Sequence, residues 1–446
     1  MKWFDLRTRA ELEAEFVRIG AALPVSDALE VLGEPVRIAG RRLANRFVVQ
    51  PMEGVDAADA EGTPSELTFR RYRRYAAGGS ALIWFESVAV EPEGRSGPRQ
   101  LMISEGNLDV WRRLVDETRR AAREEGCGEV TLILQLTHSG RYSRPQGRPE
   151  PVTAQRNPLL EQAMPEMPAV EPISDDALKW LRDAFAETAL LAERAGFDGV
   201  DMKAVHGYLV AELLGARRRE GRYGGSYENR TRFLKECVRD MRWMLKRGMW
   251  VTSRLTVLEP SVYPYGWGVA ERDGEWQTDL SEPLRLVGEL SEMGVALHNI
   301  SMGYPRFQPY LNRPHDKPLV GCPPPPEDPL RSVVRFQETV RDVRKATRGV
   351  PVITAALSWL RHLAPAVAAG LVREGWCDLV GFGRMAFAYP DAPRDILTHG
   401  AMAPERCCVT CSMCSQIMRD GVGRGGCVVR DAAVYVPEYR KGREEE

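Results

Sequence analysis

The feature that most constrains this chain is a rhythm. Eight short β-branched or apolar runs alternate with longer segments of helical character. The strand-like runs fall at 46–51, 81–86, 130–135, 199–202, 250–254, 296–301, 351–354 and 379–381. The helical segment before the fourth run is the clearest. Ser174 suits its N-cap, Asp175 and Asp176 its first turn, and Gly196 its end. Leu181, Phe185 and Leu191 fit one apolar face approximately. Eight strands, each followed by a helix, is the count of an α/β fold of the (β/α)8 TIM barrel type. At ~150 residues per domain, length alone would suggest about three domains. Five segments read instead as additions to one barrel: 1–45, 139–173, 255–280, 302–326 and 401–446. Without them the chain is close to the ~250 residues of a plain barrel. The expected division is an enlarged barrel with an N-terminal extension over 1–400, and a tail over 401–446. Three of the additions follow strands, where barrel loops build the active-site face.

Composition narrows the partners. With 61 basic and 62 acidic side chains the chain has no general electrostatic grip on nucleic acid or an anionic membrane. At 43% hydrophobic residues it has material for a core. No run approaches the ~18 apolar residues of a membrane span. The opening MKWFDLRTRAELEAEF carries acids among its apolar residues and does not read as a signal peptide. The expectation is a soluble cytoplasmic protein.

Nine cysteines are unevenly spread. Cys127, Cys237, Cys322 and Cys377 are scattered and read as core thiols. The rest crowd into Cys407, Cys408, Cys411, Cys414 and Cys427. The odd number and the expected compartment argue against a disulfide framework. The pattern Cys408-x2-Cys411-x2-Cys414-x12-Cys427 lets three closely spaced thiolates and a distant fourth converge, which suits a [4Fe–4S] cluster. Zinc and coincidence are the competing readings, and Cys407 is one residue out of register.

Reactive groups in barrels sit at the C-terminal ends of strands. The polar residues there are Glu53, Glu86, Gln135, His138, Lys203, His206, Arg254, Gly383 and Arg384. Gly383 and Arg384, in GFGR, form a candidate phosphate site. Arg254 either pairs with a buried acid or meets a ligand. The densest group is Lys203-Ala-Val-His206-Gly-Tyr208. Lys and His can donate to a carbonyl oxygen, and a tyrosine can protonate a basic carbon. No GxGxxG and no P-loop is present.

These residues resemble the old yellow enzyme group of FMN-dependent NADH:flavin oxidoreductases over nearly the whole chain after residue ~30. NRFVVQPMEG (45–54), QLTHSGR (135–141), GFDGVDMKAVHGYLVAELL (196–214), RYGGSYENRTRFL (222–234) and DLVGFGRMAFAYPD (378–391) carry the resemblance in the right order. The cysteine spacing is similar to that of the iron–sulfur branch typified by 2,4-dienoyl-CoA reductase and trimethylamine dehydrogenase. The resemblance implies FMN, NAD(P)H as reductant, and roles by position. Pro51 and Met52 would line the flavin, with Glu53 and Glu86 nearby. Gln135 would bind the pyrimidine edge, Arg254 would sit near N1 and O2, and Gly383 and Arg384 would take the phosphate. Tyr208 occupies the proton-donor position, and His206 and Lys203 the substrate anchors.

The chain departs from the family pattern at three places. Lys203 stands where His is usual, and Glu53 where many relatives carry Thr or Ala. After strand six SMGYPRF (301–307) offers Tyr304 and no histidine, which argues against dienoyl-CoA chemistry. The relatives' C-terminal nucleotide-binding half is not expected, because the sequence ends soon after Cys427. The implied function is ene-reduction. One alternative is amine dehydrogenation or demethylation behind aromatic walls drawn from Trp250, Tyr263, Tyr265, Trp267 and Tyr304. Another is a non-catalytic barrel with a structural zinc tail. The cluster would either accept electrons from a partner protein or anchor the tail while NAD(P)H reduces the flavin directly, the latter slightly favoured. A homo-oligomer is compatible with this reading.

Overall fold

The computed structural model describes residues 4–441 and 443. Its centre is a closed barrel of eight parallel strands: β1 (Phe47–Val49), β2 (Leu82–Ala89), β3 (Thr131–Thr137), β4 (Gly199–Met202), β5 (Trp250–Thr256), β6 (His298–Ser301), β7 (Val352–Thr354) and β8 (Leu379–Phe382). Each strand pairs with its sequence neighbour, and β8 closes on β1 through Val380–Phe47, Gly381–Val48 and Phe382–Val49. All eight expected strands are present. Their ends differ by a few residues. The strands are buried throughout, so no alternation marks where pairing stops.

Helices pack around the barrel, among them α1 (Glu66–Ala77), α2 (Leu108–Glu124) and α3 (Asp175–Ala195). The expected boundaries of α3 hold. Ser174 accepts from the Ala177 N–H, and Gly196 ends the helix at φ 95°. Its core face runs through Leu178, Leu181, Phe185, Ala189 and Ala192. Leu191 lies only partly buried, at the edge of that stripe.

The additions do different work. The N-terminal hairpin of Val36–Ile38 and Arg41–Leu43 packs Ile38 and Leu43 against Leu82, Trp250, Leu297 and Leu379, at or beside the starts of their strands. It plugs the bottom of the barrel. The tail carries two helices, Met413–Asp420 and Ala432–Arg440. Arg70 and Arg74 of α1 grip Asp431 at 2.7 and 2.6 Å, and the Gly425 N–H donates to the Gly54 carbonyl at 2.6 Å. The tail is thus fastened to the loop that follows β1. Among the described residues no helix is long and apolar enough to cross a membrane.

One irregularity matters for the site. In the β2–β3 pairing, Phe85 faces Leu134 and Ser87 faces Gln135, so Glu86 is an extra residue in a β-bulge. Beyond the bulge, the side chains on β2 exchange faces.

Candidate active site

The C-terminal mouth of the barrel opens into a cavity of ≈ 570 Å³. That is the size of a small-molecule pocket. Ten of the expected site residues line it: Pro51, Met52, Glu53, Gln135, Lys203, His206, Tyr208, Arg254, Gly383 and Arg384. The loops 139–173 and 302–326 supply walls through Tyr142, Arg144, Arg306 and Arg313. The loop 255–280 supplies none. The tail unexpectedly does, through Ser415 and Met418 to Val422.

Glu86 corrects the sequence reading, since it does not line the cavity. The bulge turns its carboxylate toward α1, where it accepts from the Gly54 N–H at 2.7 Å and from Arg71 Nη1 at 2.6 Å. Arg71 also pairs with the fully buried Asp56. This network fixes the backbone just beyond Glu53. His138 also turns away and takes the Gly140 N–H on Nδ1 at 3.0 Å.

Ser87 takes the inward place that Glu86 vacates. Lys203 Nζ lies 2.7 Å from Glu53 Oε1 and 3.1 Å from Ser87 Oγ, and Ser87 donates to Glu53. Burial pushes the Lys203 ammonium below the ordinary lysine range, and the Glu53 charge opposes that shift. The two unusual residues therefore form one buried ion pair.

The turn after β4 is tightly wound. His206 and Gly207 both adopt left-handed backbone, at φ 69° and 68°. A Cβ on Gly207 would fall 2.0 Å from Tyr304 Cε1, so only glycine fits there. Glu259, just beyond the end of β5, accepts the Gly207 N–H at 3.1 Å. Burial raises the Glu259 carboxyl to about 8. Burial holds His206 well below its usual range, with Arg254 and Lys203 adding to the effect, so the imidazole is neutral. Its Nε2 has no partner. Burial raises the Tyr208 phenol well above 10, and the Glu53 charge raises it further. The phenol thus keeps its proton.

Asp201 was not singled out in the sequence, yet it organises the floor. Fully buried on β4, it accepts from Gln135 Nε2 at 2.6 Å, from Trp84 Nε1 at 3.0 Å, and from the Arg254 N–H. Gln135 is thereby held with its amide oxygen free of that contact. Arg254 is lowered to about 10 by burial, against the opposing charges of Asp201 and Glu53, and its Nε is unpartnered. Gln50, also unforeseen, accepts from Asn299 at 2.9 Å and has a buried amide nitrogen without a partner. A cavity with several orphaned donors suits a ligand rich in acceptors. Gly383 keeps its backbone close under Met52: a Cβ there would sit 3.1 Å from Met52 Sδ. These residues fit a flat, acceptor-rich ring system with an anionic end near Gly383 and Arg384, as FMN is.

The cysteines give a mixed result. Burial, opposed by the charge of Arg384 and aided by neighbouring thiols, raises Cys408 to about 12, and burial with neighbouring thiols raises Cys427 to about 11. Cys414 is likewise raised by burial, against Arg384 and with Cys411 adding to the rise. The four thiols therefore share one neighbourhood. Yet among the described residues no group of three or more His, Cys, Asp or Glu stands ready to hold a metal ion. Cys411 lies between Thr410 and Ser412, both in left-handed backbone at φ 49° and 62°, Cys414 opens a helix, and Cys427 sits on a later loop. The spacing brings the donors together without closing a cage.

The aromatic walls expected for an amine site are elsewhere. Trp250, Trp267 and Tyr304 are 2%, 1% and 4% exposed, and neither they nor Tyr263 and Tyr265 line the cavity.

Comparison with known proteins places these features in context. Residues 31–274 match the model of the NADH:flavin oxidoreductase / NADH oxidase family. An NADPH dehydrogenase of Clostridium acetobutylicum is 30% identical over 285 residues, covering 63% of this chain and 78% of that protein. An NADH oxidase of Thermoanaerobacter brockii is 25% identical over 388 residues, covering 84% of this chain. The chain spans 52% of that oxidase. Among solved structures, a 2-naphthoyl-CoA reductase in complex with 2-naphthoyl-CoA superposes with TM-score 0.70 at 21% identity, over 93% of this chain and 58% of the other. At that identity the likeness speaks for the fold.

Proposed function

The chain belongs to the NADH:flavin oxidoreductase / NADH oxidase family, the old yellow enzyme group, and on that premise we propose that it is an FMN-dependent NAD(P)H oxidoreductase reducing the C=C bond of an activated alkene. One observation carries the reading: Lys203, His206 and Tyr208 line the same cavity as Gln135, Arg254 and Arg384. When bound, FMN would supply the chemistry of hydride transfer between NAD(P)H and the alkene.

The protein does the rest. Gln135, oriented by Asp201, would hold the pyrimidine edge of the flavin, and Arg254 would bring positive charge to it. His206, neutral and with a free Nε2, donates to the activating carbonyl of the substrate. Lys203, paired with Glu53 and Ser87, anchors the substrate side of the cavity beside the Tyr208 ring. Tyr208 keeps its phenolic proton until the α-carbon becomes strongly basic, and then donates it. Pro51 and Met52 close the cavity on the flavin side.

For the tail we propose a [4Fe–4S] cluster on Cys408, Cys411, Cys414 and Cys427, whose side chains must draw together to reach one centre. Four thiolates are the donor set such a cluster takes.

The amine-oxidation reading is disfavoured, because arginines crowd the cavity and among the described residues only Tyr142 and Tyr208 offer it aromatic faces for a cation. Anaerobic purification followed by flavin extraction and iron, sulfide and zinc analysis tests the cofactor assignment. FMN with iron and sulfide is expected. A colourless, zinc-containing protein would overturn the enzyme reading altogether.

A further inference from the structure

Arg384 and Arg313 stand as neighbours on the cavity wall, with the Cys414 thiol close to both and no carboxylate paired with either among the described residues. Arg384 is 6% exposed; its Nη2 donates to the Pro314 carbonyl at 2.7 Å, and its Nη1 is buried without a partner. Arg313, the residue before Pro314, lines the same cavity. It donates to the Pro305 carbonyl at 3.1 Å and to the Ser415 hydroxyl. Among the described residues neither guanidinium enters an ion pair. His315 contributes no countercharge, and the buried carboxylate of Asp316 is taken by Trp359 at 2.7 Å and Arg361 at 2.8 Å.

Two like charges on a poorly solvated wall are costly unless an anion joins them. A phosphate monoester answers this arrangement. It carries up to two negative charges, and its oxygens can accept from two planar guanidinium forks at once. Arg384 was expected at such a site from its GFGR motif. Nothing in the sequence around Arg313 signals the same role.

We propose that Arg313 is the second cation of a two-arginine clamp for the phosphate of the flavin nucleotide, and that the tail holds it in place through Ser415. The proposal rests on the FMN reading given above. Ser415 directly follows Cys414, so the clamp and the cysteine tail share one hinge of structure. By linkage, whatever docks the tail tightens FMN, and FMN tightens the tail.

The test compares FMN with riboflavin, which lacks the phosphate. The flavin-stripped full chain is titrated with each, following flavin fluorescence, in wild type, Arg313→Ala, Arg313→Lys, Arg384→Ala and Ser415→Ala. Losing a charge-assisted bond should weaken FMN roughly 10–100-fold in Arg313→Ala while leaving riboflavin within about twofold. Arg313→Lys should recover part of the loss, and Ser415→Ala should weaken FMN a few-fold. Hydrogen exchange across 407–431 should slow more with FMN than with riboflavin in wild type, and equally with both in Arg313→Ala. Equal losses of FMN and riboflavin in Arg313→Ala, or no loss of either, would overturn the proposal. If Arg384→Ala abolishes the preference for FMN while Arg313→Ala leaves it intact, the clamp fails while the FMN reading stands. If wild type binds neither flavin, the FMN reading itself fails and the clamp with it.

Discussion

Lys203 Nζ lies 2.7 Å from Glu53 Oε1, and the same nitrogen sits 3.8 Å from the centre of the Tyr208 ring. Two residues that each depart from the family pattern compensate one another. A carboxylate alone beside the flavin would oppose negative charge on a reduced ring, and a lysine alone would lie buried without a partner. Together they are nearly neutral, and the lysine is held against the Tyr208 ring.

Breaking the pair should therefore cost more than removing it. The Lys203 and Glu53 side chains are 3% and 10% exposed. Lys203→Met strands a buried carboxylate and should destabilise the fold by about 3–5 kcal/mol. The double variant Lys203→Met/Glu53→Gln should recover most of that loss. Urea unfolding of the four proteins of the cycle measures it. A double variant no better than Lys203→Met would mean the two side chains do not sense each other.

Tyr208→Phe removes the phenolic proton and little else. Flavin affinity should stay within a few-fold, while alkene reduction falls by roughly 10²–10⁴. Single-turnover reoxidation of the reduced flavin by an enone measures this. Unchanged turnover would take Tyr208 out of the reaction.

Glu259 links stability to pH. Its folded-state carboxyl is raised to about 8 from 4.5, so the folded protein binds the extra proton between those values. The stabilisation is full below about pH 4.5 and is lost as the pH rises toward 8. Wild type should weaken relative to Glu259→Gln across that window, by at most ~1.4 kcal/mol per pH unit. Thermal melts of both proteins at pH 5 through 8 check it, and parallel pH dependences would contradict it.

Asp201 should matter for flavin binding without touching substrate. In Asp201→Ala the donors of Gln135 and Trp84 lose their buried acceptor, at about 1–3 kcal/mol each. FMN affinity and stability should fall together, as flavin titration and urea unfolding would show. Unaltered FMN affinity would sever Gln135 from the flavin.

The barrel was legible because its eight strands are short, apolar and regularly spaced, and because α3 carries its own start and stop residues. The mouth was legible because strand ends are where polar residues are unexpected. What stayed hidden involves geometry that pairs distant segments. The bulge at Glu86 cannot be read from FESVAV, since an extra residue leaves the apolar pattern intact. Asp201 looks like any acid until the barrel closes around it. Arg313 lies in a proline-rich loop with no periodicity, and only the fold brings it to Arg384. The cysteine spacing was plain in the sequence, but spacing does not fix how the thiols point.

The most direct test of the whole account is the oxidative half-reaction. The photoreduced holoprotein is mixed anaerobically with cyclohexenone or a dienoyl thioester, and the flavin absorbance is followed. Return of the oxidised flavin spectrum with a saturated product, slowed strongly in Tyr208→Phe, is the expected result. A flavin that stays reduced before every activated alkene offered would contradict the assignment of this cavity to alkene reduction.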